Sequence, residues 1–475
     1  MSLPVDRTQT ILDSLQQANA AATVIYPGES DARQPVHTVY GGAHLFKSDS
    51  AKKIGALSRR SLTEYGPNFA TFAKAIGLTG AETLPETAEV IAVLESQLTK
   101  NADGVRESNP AAWLAHTLYR RVTEKLSREA LEDFRIDFED GYGNRPDAEE
   151  DGHAVSAAEE VAKGFADQTL PPFLGIRIKP FTEELNRRSI RTMDIFVTTM
   201  LQRTGGKLPA NFIITLPKIT VVEQVTAMVE LLEILEAKNN LAPKSIMLEL
   251  MVETTQSIIN HKGESALPIL VAAGRGRVTG AHFGTYDYTA GCNITAAYQT
   301  MDHPACDFAR HMMQVALAGT GIMLSDGATN VMPIGPHRGE GLTSEQLHEN
   351  RQVVHRAWKL HYDHCQHSLK HAYYQGWDLH PAQLPTRYAA VFAFFLEGLP
   401  AASARLKNFV EKAAQATLVG DVFDDAATGQ GLLNFFLRGI NCGAITEEEA
   451  LVTGLTLDEL RGRSFVKILN SRRGL

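Results

Sequence analysis

The sequence predicts a (β/α)8 or TIM barrel, an α/β fold in which eight parallel strands alternate with helices. Three observations carry that expectation. Eight short runs rich in β-branched and aromatic residues recur along the 475-residue chain. Amphipathic helical stretches separate them, and from the second run onward strand ends fall roughly 35–55 residues apart, room for one strand, one helix and two loops. A doubly wound dinucleotide fold would want a GxGxxG turn after an early strand, and none follows one here.

Strand one is HTVYGGAHLF (37–46), with His37 and His44 at its two ends. A long, largely helical stretch (about 51–130) follows and is expected as an insertion on the barrel flank. Strand two, FRIDFED (134–140), ends on Asp137, Glu139 and Asp140 before Gly141. Carboxylates this close repel one another unless cations or donors neutralise them. Alternation puts Asp137 and Glu139 on one face; a solvated acidic loop is the alternative.

Strand three, FLGIRIK (173–179), carries Arg177 among apolar neighbours. A guanidinium there needs an anion, either a bound carboxylate gripped by its planar fork or a structural partner among the acids at 137–140. Strand four, FIITLPK (212–218), closes on Lys218, a second positive charge or a salt-bridge partner. An amphipathic helix over 220–238 leads to strand five, IMLELMVE (246–253), which ends on Glu253.

Strand six, RVTGAHFGTYD (277–287), ends on Asp287. Two acids from successive strand ends can share one divalent cation, because a hard ion takes oxygen ligands and leaves positions open for substrate and water. Phe283, Gly284, Tyr286, Tyr288 and Gly291 suit a tight pocket loop, with Gly284 and Thr285 as substrate contacts. The hydroxyls of Thr254, Thr285 and Thr289 can orient the metal ligands. Helix capping by one of two unrelated acids is the plainer alternative.

Strand seven is GIMLSD (321–326) and strand eight GWDLHPAQ (376–383), whose His380 can serve as base or donor to a bound substrate. The barrel is thus expected over 1–383, with a C-terminal helical extension over 384–475 broken near residues 398–400 and 429–431. His355, His361, His364, His367 and His371 share one helical stretch at spacings that can bind zinc. No HExxH pattern occurs there and Arg356, Lys359 and Lys370 are interleaved. A polar helix surface is therefore expected, with a zinc hydrolase as the weaker reading.

A formal charge of −9, without a basic stripe or tail, argues against a nucleic-acid partner. The polar helical pattern over 7–22 is unlike a signal peptide, and the apolar run AAVFAFFL (389–396) is too short to span a bilayer. Four cysteines without regular spacing suggest reduced thiols. A cytoplasmic protein with no membrane partner is expected.

Taken in order, these motifs resemble the citrate lyase β-subunit/HpcH–HpaI aldolase superfamily. RIDFEDGYG is similar to its acidic strand-two motif and GIRIKP to its arginine strand. LPK resembles the strand-four signature, VET and FGTYDYTAG the two metal-ligand motifs, and YQGWDLHPAQ the end of strand eight. FDDAATGQGL (423–432) is a weaker echo. The QPVHTVY segment at 34–40 places the chain nearest an uncharacterised, aldolase-like branch.

The resemblance implies that Glu253 and Asp287 bind Mg²⁺ or Mn²⁺, that Arg177 grips the substrate carboxylate, and that Glu139 and Asp140 hold metal-bound water or orient Arg177. It further implies a metal-dependent carbon–carbon lyase or aldolase acting on a 2-oxo or hydroxy acid, in a homo-oligomer. The alternatives are a CoA thioester substrate at the same site, and a non-catalytic binding or assembly subunit. The chain departs from the family where YGGA ends strand one, and where Asp140 follows Glu139 in the place of the HpaI-type histidine.

Overall fold

Strands β1 (His37–Gly42), β2 (Asp133–Asp137), β3 (Phe173–Arg177), β4 (Phe212–Leu216), β5 (Met247–Val252), β6 (Val278–Phe283), β7 (Met323–Ala328) and β8 (Gln375–Asp378) pair in parallel, each with the next. Strand β8 returns to β1, with Thr38 opposite Trp377, and closes the expected barrel. The computed structural model describes residues 4–28, 32–411, 417–419, 422–424, 426–462, 468 and 471–472.

The strands stop earlier than the sequence suggests. Glu139 and Asp140 lie in the loop after β2, Lys218 beyond Pro217 after β4, and Glu253 just past β5. Asp287 belongs to no strand but to the first turn of a short helix. Proline has no N–H to give a ladder, and the chain turns outward at a barrel rim, so the chemistry-bearing residues sit where pairing ends.

The first helix, α1 (Val5–Ile25), precedes the barrel, and α2 (Ser50–Tyr65), α3 (Phe69–Ile76), α4 (Ala88–Lys100), α5 (Ala102–Ser108) and α6 (Pro110–Arg128) fill the segment between β1 and β2. Leu114, Leu118, Val122 and Leu126 recur every fourth residue on α6 and are buried, so one stripe of the helix faces the core. Asn109 caps its first turn by accepting from Ala112 N, and Pro110 occupies the position where no N–H is required.

The remaining crossovers are α7 (Asp147–Asp167), α8 (Asn186–Thr204), α9 (Val222–Lys238), α10 (Thr255–Ile258), α11 (Leu267–Ala273), α12 (Thr285–Gly291), α13 (Pro304–Leu317) and α14 (Ser344–Lys370). Helix α15 (Leu384–Glu411) follows β8 directly and packs between α6 and α14, the place of a barrel's eighth helix. By length and composition α15 and the turn before it could cross a membrane. Yet 61% of its most apolar window is buried inside the protein, the behaviour of a core helix.

Beyond it come a hairpin of β9 (Thr417–Val419) and β10 (Val422–Asp424), then α16 (Ala426–Asn441), α17 (Glu447–Leu451) and α18 (Leu457–Arg461). Within FDDAATGQGL (423–432), residue 425 and the side chains of 423–427 lie outside the described residues.

Alternation along the strands divides two cores. Ile136, Ile176, Ile214, Leu248 and Leu250 are fully buried in the apolar core. The opposite face of the strands is ionic: Asp133, Arg135, Asp137, Arg177, Glu249 and His282 are all buried.

Candidate active site

Arg177 at the end of β3 reaches across to Asp137 at the end of β2. Its Nε and Nη2 donate to the two carboxylate oxygens at 2.7 and 2.6 Å, a bidentate fork. Asp137 also accepts from the backbone N–H of Glu139 and Gly141. Burial pushes its pKa up, but Arg177 and these donors outweigh that and hold it below the usual carboxylate range. Tyr40 lies beneath the guanidinium, 4.8 Å from its ring centre, and Trp377 flanks it at 5.9 Å.

Around this fork stand the remaining acids. Arg177 Nη1 lies 2.9 Å from Glu139 Oε2 and 3.7 Å from Asp140. Lys218 Nζ is 2.6 Å from Glu139, 3.3 Å from Asp140 and 3.2 Å from Asp287. The backbone N–H of Lys218 donates to Glu253 Oε1 at 2.7 Å. One residue therefore touches both acids expected as metal ligands. Lys218 adopts a left-handed backbone (φ 49°), strained for a residue with a β-carbon.

Five carboxylates (Asp137, Glu139, Asp140, Glu253, Asp287) meet two bases (Arg177, Lys218), an excess of three formal negative charges. Glu253 responds accordingly: burial, then the charges of Glu139 and Asp287, push its carboxyl up to about 8 against the pull of Lys218 and Arg177. Burial raises Glu139 as well. Its Oε2 has no hydrogen-bond partner, because Arg177 approaches it outside hydrogen-bond geometry.

These features fit a divalent cation. A cluster of carboxylates short of positive charge, with an orphaned buried oxygen and a carboxyl driven to hold its proton, is the donor set that Mg²⁺ or Mn²⁺ would neutralise. Glu253 and Asp287 would hold it, with Glu139 and Asp140 beside them. Glycine at 284 lets the loop after β6 pack directly against Glu253.

Three expected residues stand elsewhere. Thr285 is buried with its hydroxyl on Met301 Sδ at 3.3 Å, and supports the loop from behind. His380 accepts from Ala382 N and caps the turn before α15. It lines a separate cavity of about 570 Å³ with Arg60, Tyr65 and His337. Among the described residues no hydrogen bond or ion pair joins it to the acids. His44 packs against Tyr142 and His153 outside the cluster.

The histidine-rich stretch is only partly a polar surface. His361 is fully buried between Thr386 (2.6 Å) and Asp378 (2.9 Å), and His364 is buried against Thr329 (2.9 Å). Helix α14 is a crossover pressed between neighbouring helices, so two of its faces are interior.

The sequence reading missed the layer below the site. Arg135 donates to Glu249 at 2.7 Å and is paired with Asp133. Glu249 also contacts His282 at 2.8 Å and accepts from Thr215 at 2.6 Å. Tyr40 links the layers, its ring under Arg177 and its hydroxyl 3.1 Å from His282. The alternate charges of Asp133, Arg135 and Asp137 along β2 were the available signal.

A family profile described as "Domain of unknown function (DUF6986)" matches residues 15–468. No curated protein matches the chain. Among solved structures, a citrate lyase from Burkholderia xenovorans LB400 is similar at 18% identity with a TM-score of 0.51, over 71% of this chain and 92% of that one. That likeness is one of fold. The CitE protein of Mycobacterium tuberculosis, in complex with magnesium, acetoacetate and coenzyme A, gives 13% identity and 0.44 over 87% and 100% of the two chains. Haloferax volcanii malate synthase in its magnesium/glyoxylate complex gives 12% and 0.42 over 94% and 100%.

Proposed function

The chain belongs to the DUF6986 family, and from its strand-end site we propose that it is a metal-dependent carbon–carbon lyase or aldolase acting on a 2-oxo or hydroxy acid. The observation that carries this reading is the excess of carboxylates over bases around Lys218, with Glu253 pushed up to about 8. Mg²⁺ or Mn²⁺ bound by Glu253 and Asp287 would supply Lewis-acid polarisation of a keto oxygen.

The chain's own groups do the rest. Asp137 holds Arg177 by two of its donors and leaves the Nη1 edge, which faces Glu139, for a substrate carboxylate. Lys218 is partly exposed and offers an ammonium beside the same space, held there by Glu139, Asp140 and Asp287. Negative charge gathers on the substrate oxygen as the carbon–carbon bond breaks or forms. Arg177 and Lys218 face that charge in fixed positions, which lowers the barrier because the charge appears only along the reaction coordinate.

The test is thermal stability with oxalate, a planar dianion that mimics the charge-delocalised form of a 2-oxo acid, with and without Mg²⁺ or Mn²⁺. Ligand at about 100 times Kd adds roughly 2.7 kcal/mol, a shift of a few degrees. That shift should need metal and oxalate together and vanish in Asp287→Asn. Absence of any joint effect in the folded wild type overturns the proposal. Thiol release from CoA thioesters then separates a CoA-dependent lyase from a free-acid aldolase.

A further inference from the structure

We propose that α13 and α14 carry a second metal site, of the zinc class, built from Asp307, His367 and His371, with His311 beside them as the fourth ligand. The donor atoms of the first three residues all lie within 4.8 Å of one another. His367 and His371 are four residues apart at the C-terminal end of α14; Asp307 and His311 are four apart on α13. Each pair thus projects from one face of its helix. Sequence alone showed only the α14 half, because the other half comes from a helix some 60 residues earlier in the chain.

The hydrogen bonds favour metal ligation. His371 Nδ1 lies 2.8 Å from the carbonyl of His367, so Nδ1 carries the proton and Nε2 presents its lone pair. Metal-binding histidines are oriented in this way by a carbonyl on the far ring nitrogen. His367 Nε2 meets Asp307 Oδ1 at 2.8 Å, a proton-mediated contact in which a cation can replace the proton. The His367 and His371 rings are 4.4 Å apart between centres, and the exposed His311 ring is 5.4 Å from His371.

Local charge agrees. Buried Arg310 is 2.6 Å from Asp307 Oδ1, its same nitrogen is 3.4 Å from His367 Nε2 and would have to yield to the ion, and its other nitrogen is 3.0 Å from the buried Asp326. Two carboxylates against one guanidinium leave one negative charge for a dication. Three imidazoles and one carboxylate form a ligand set that selects Zn²⁺, Co²⁺ or Ni²⁺ over Mg²⁺. Gln314 of α13 already donates to the carbonyl of His371, so the ion would clamp two helices that are in register before it binds.

The experiment uses the full-length protein, stripped of metal and then held in excess Mg²⁺ to occupy the strand-end acids. Co²⁺ is titrated while the visible d–d absorption is read, and bound zinc is counted after dialysis. Wild type and Asp287→Asn should each bind one tight equivalent, with four-coordinate cobalt absorption and a raised Tm. His371→Ala and His367→Ala should weaken binding by at least about tenfold, and Asp307→Asn and His311→Ala should weaken it as well. Should His367→Ala fail to fold, the half-exposed His371→Gln decides alone. Unchanged stoichiometry and spectrum in the His371 variants overturn the proposal, as does loss of the equivalent in Asp287→Asn. Because the strand-end site is assayed separately, failure here leaves the lyase reading intact.

Discussion

Gly284 and Glu253 are packed so closely that no side chain fits between them. A β-carbon at 284 would stand 2.5 Å from Glu253 Cβ and 2.7 Å from its Oε2. Glycine there is a requirement of the carboxylate's position, since a β-carbon would overlap Glu253 where the loop after β6 meets the end of β5. Gly284→Ala should therefore displace Glu253, abolish the joint metal–oxalate stabilisation, and cost about 1–3 kcal/mol of stability from overpacking. Metal titration followed by Tm, with urea unfolding alongside, checks both parts.

The proton on Glu253 predicts a pH dependence. Its folded-state pKa is about 8, raised from 4.5 first by burial. A carboxyl whose folded pKa is raised contributes stability that is full below the unfolded value and lost as pH climbs through the folded one. Metal-free protein should thus lose stability between about pH 4.5 and about 8, in a window set by those two values. Mg²⁺ displaces the proton, so its stabilising effect should grow across the same window. Tm against pH, with and without Mg²⁺, measures this; Glu253→Gln should flatten the metal-free slope.

The barrel was legible because parallel strands buried on both sides announce themselves as β-branched runs at regular spacing. The strand ends were not, and for a physical reason. Asp287 reads as the last residue of an apolar run, yet it lies in the first turn of α12, because the chain turns into that helix at Gly284. Arg177, Glu139, Lys218 and Glu253 stand out in the sequence because charges at the close of apolar strands need partners, and the fold brings the four together. His380 met the same criterion and caps a turn instead, which only side-chain geometry reveals. Asp133, Glu249 and His282 were passed over because a packed apolar interior was the default, and an ionic one requires partners from five strands at once.

Arg177 and Asp137 form a pair whose halves cannot be removed singly. Both are buried, and Arg177→Met leaves a carboxylate without its fork, at a cost of about 3–5 kcal/mol. Adding Asp137→Asn should recover part of that loss, because the amide oxygen still accepts from one of the two loop N–H groups and no charge is stranded. Urea midpoints of wild type, both single variants and the double variant give the coupling. Arg177→Lys should retain more stability than Arg177→Met, but it loses oxalate binding because one ammonium held by Asp137 has no second edge to offer the ligand.

Lys218 serves the site twice, by its backbone and by its side chain, and the two roles can be separated. Its N–H holds Glu253 whatever the side chain, while its ammonium sits among Glu139, Asp140 and Asp287, where it repels and competes with a dication. Lys218→Gly keeps the N–H, relieves the left-handed backbone by about 1 kcal/mol, and deletes the ammonium. Mg²⁺ should bind more tightly to this variant, while turnover of any substrate that develops negative charge beside Lys218 should fall. Lys218→Met should share the tighter metal binding without the relief of strain. Weaker Mg²⁺ binding in both variants would mean that the lysine holds the acids in place, and its charge would then be a support for the site and not a rival to the metal.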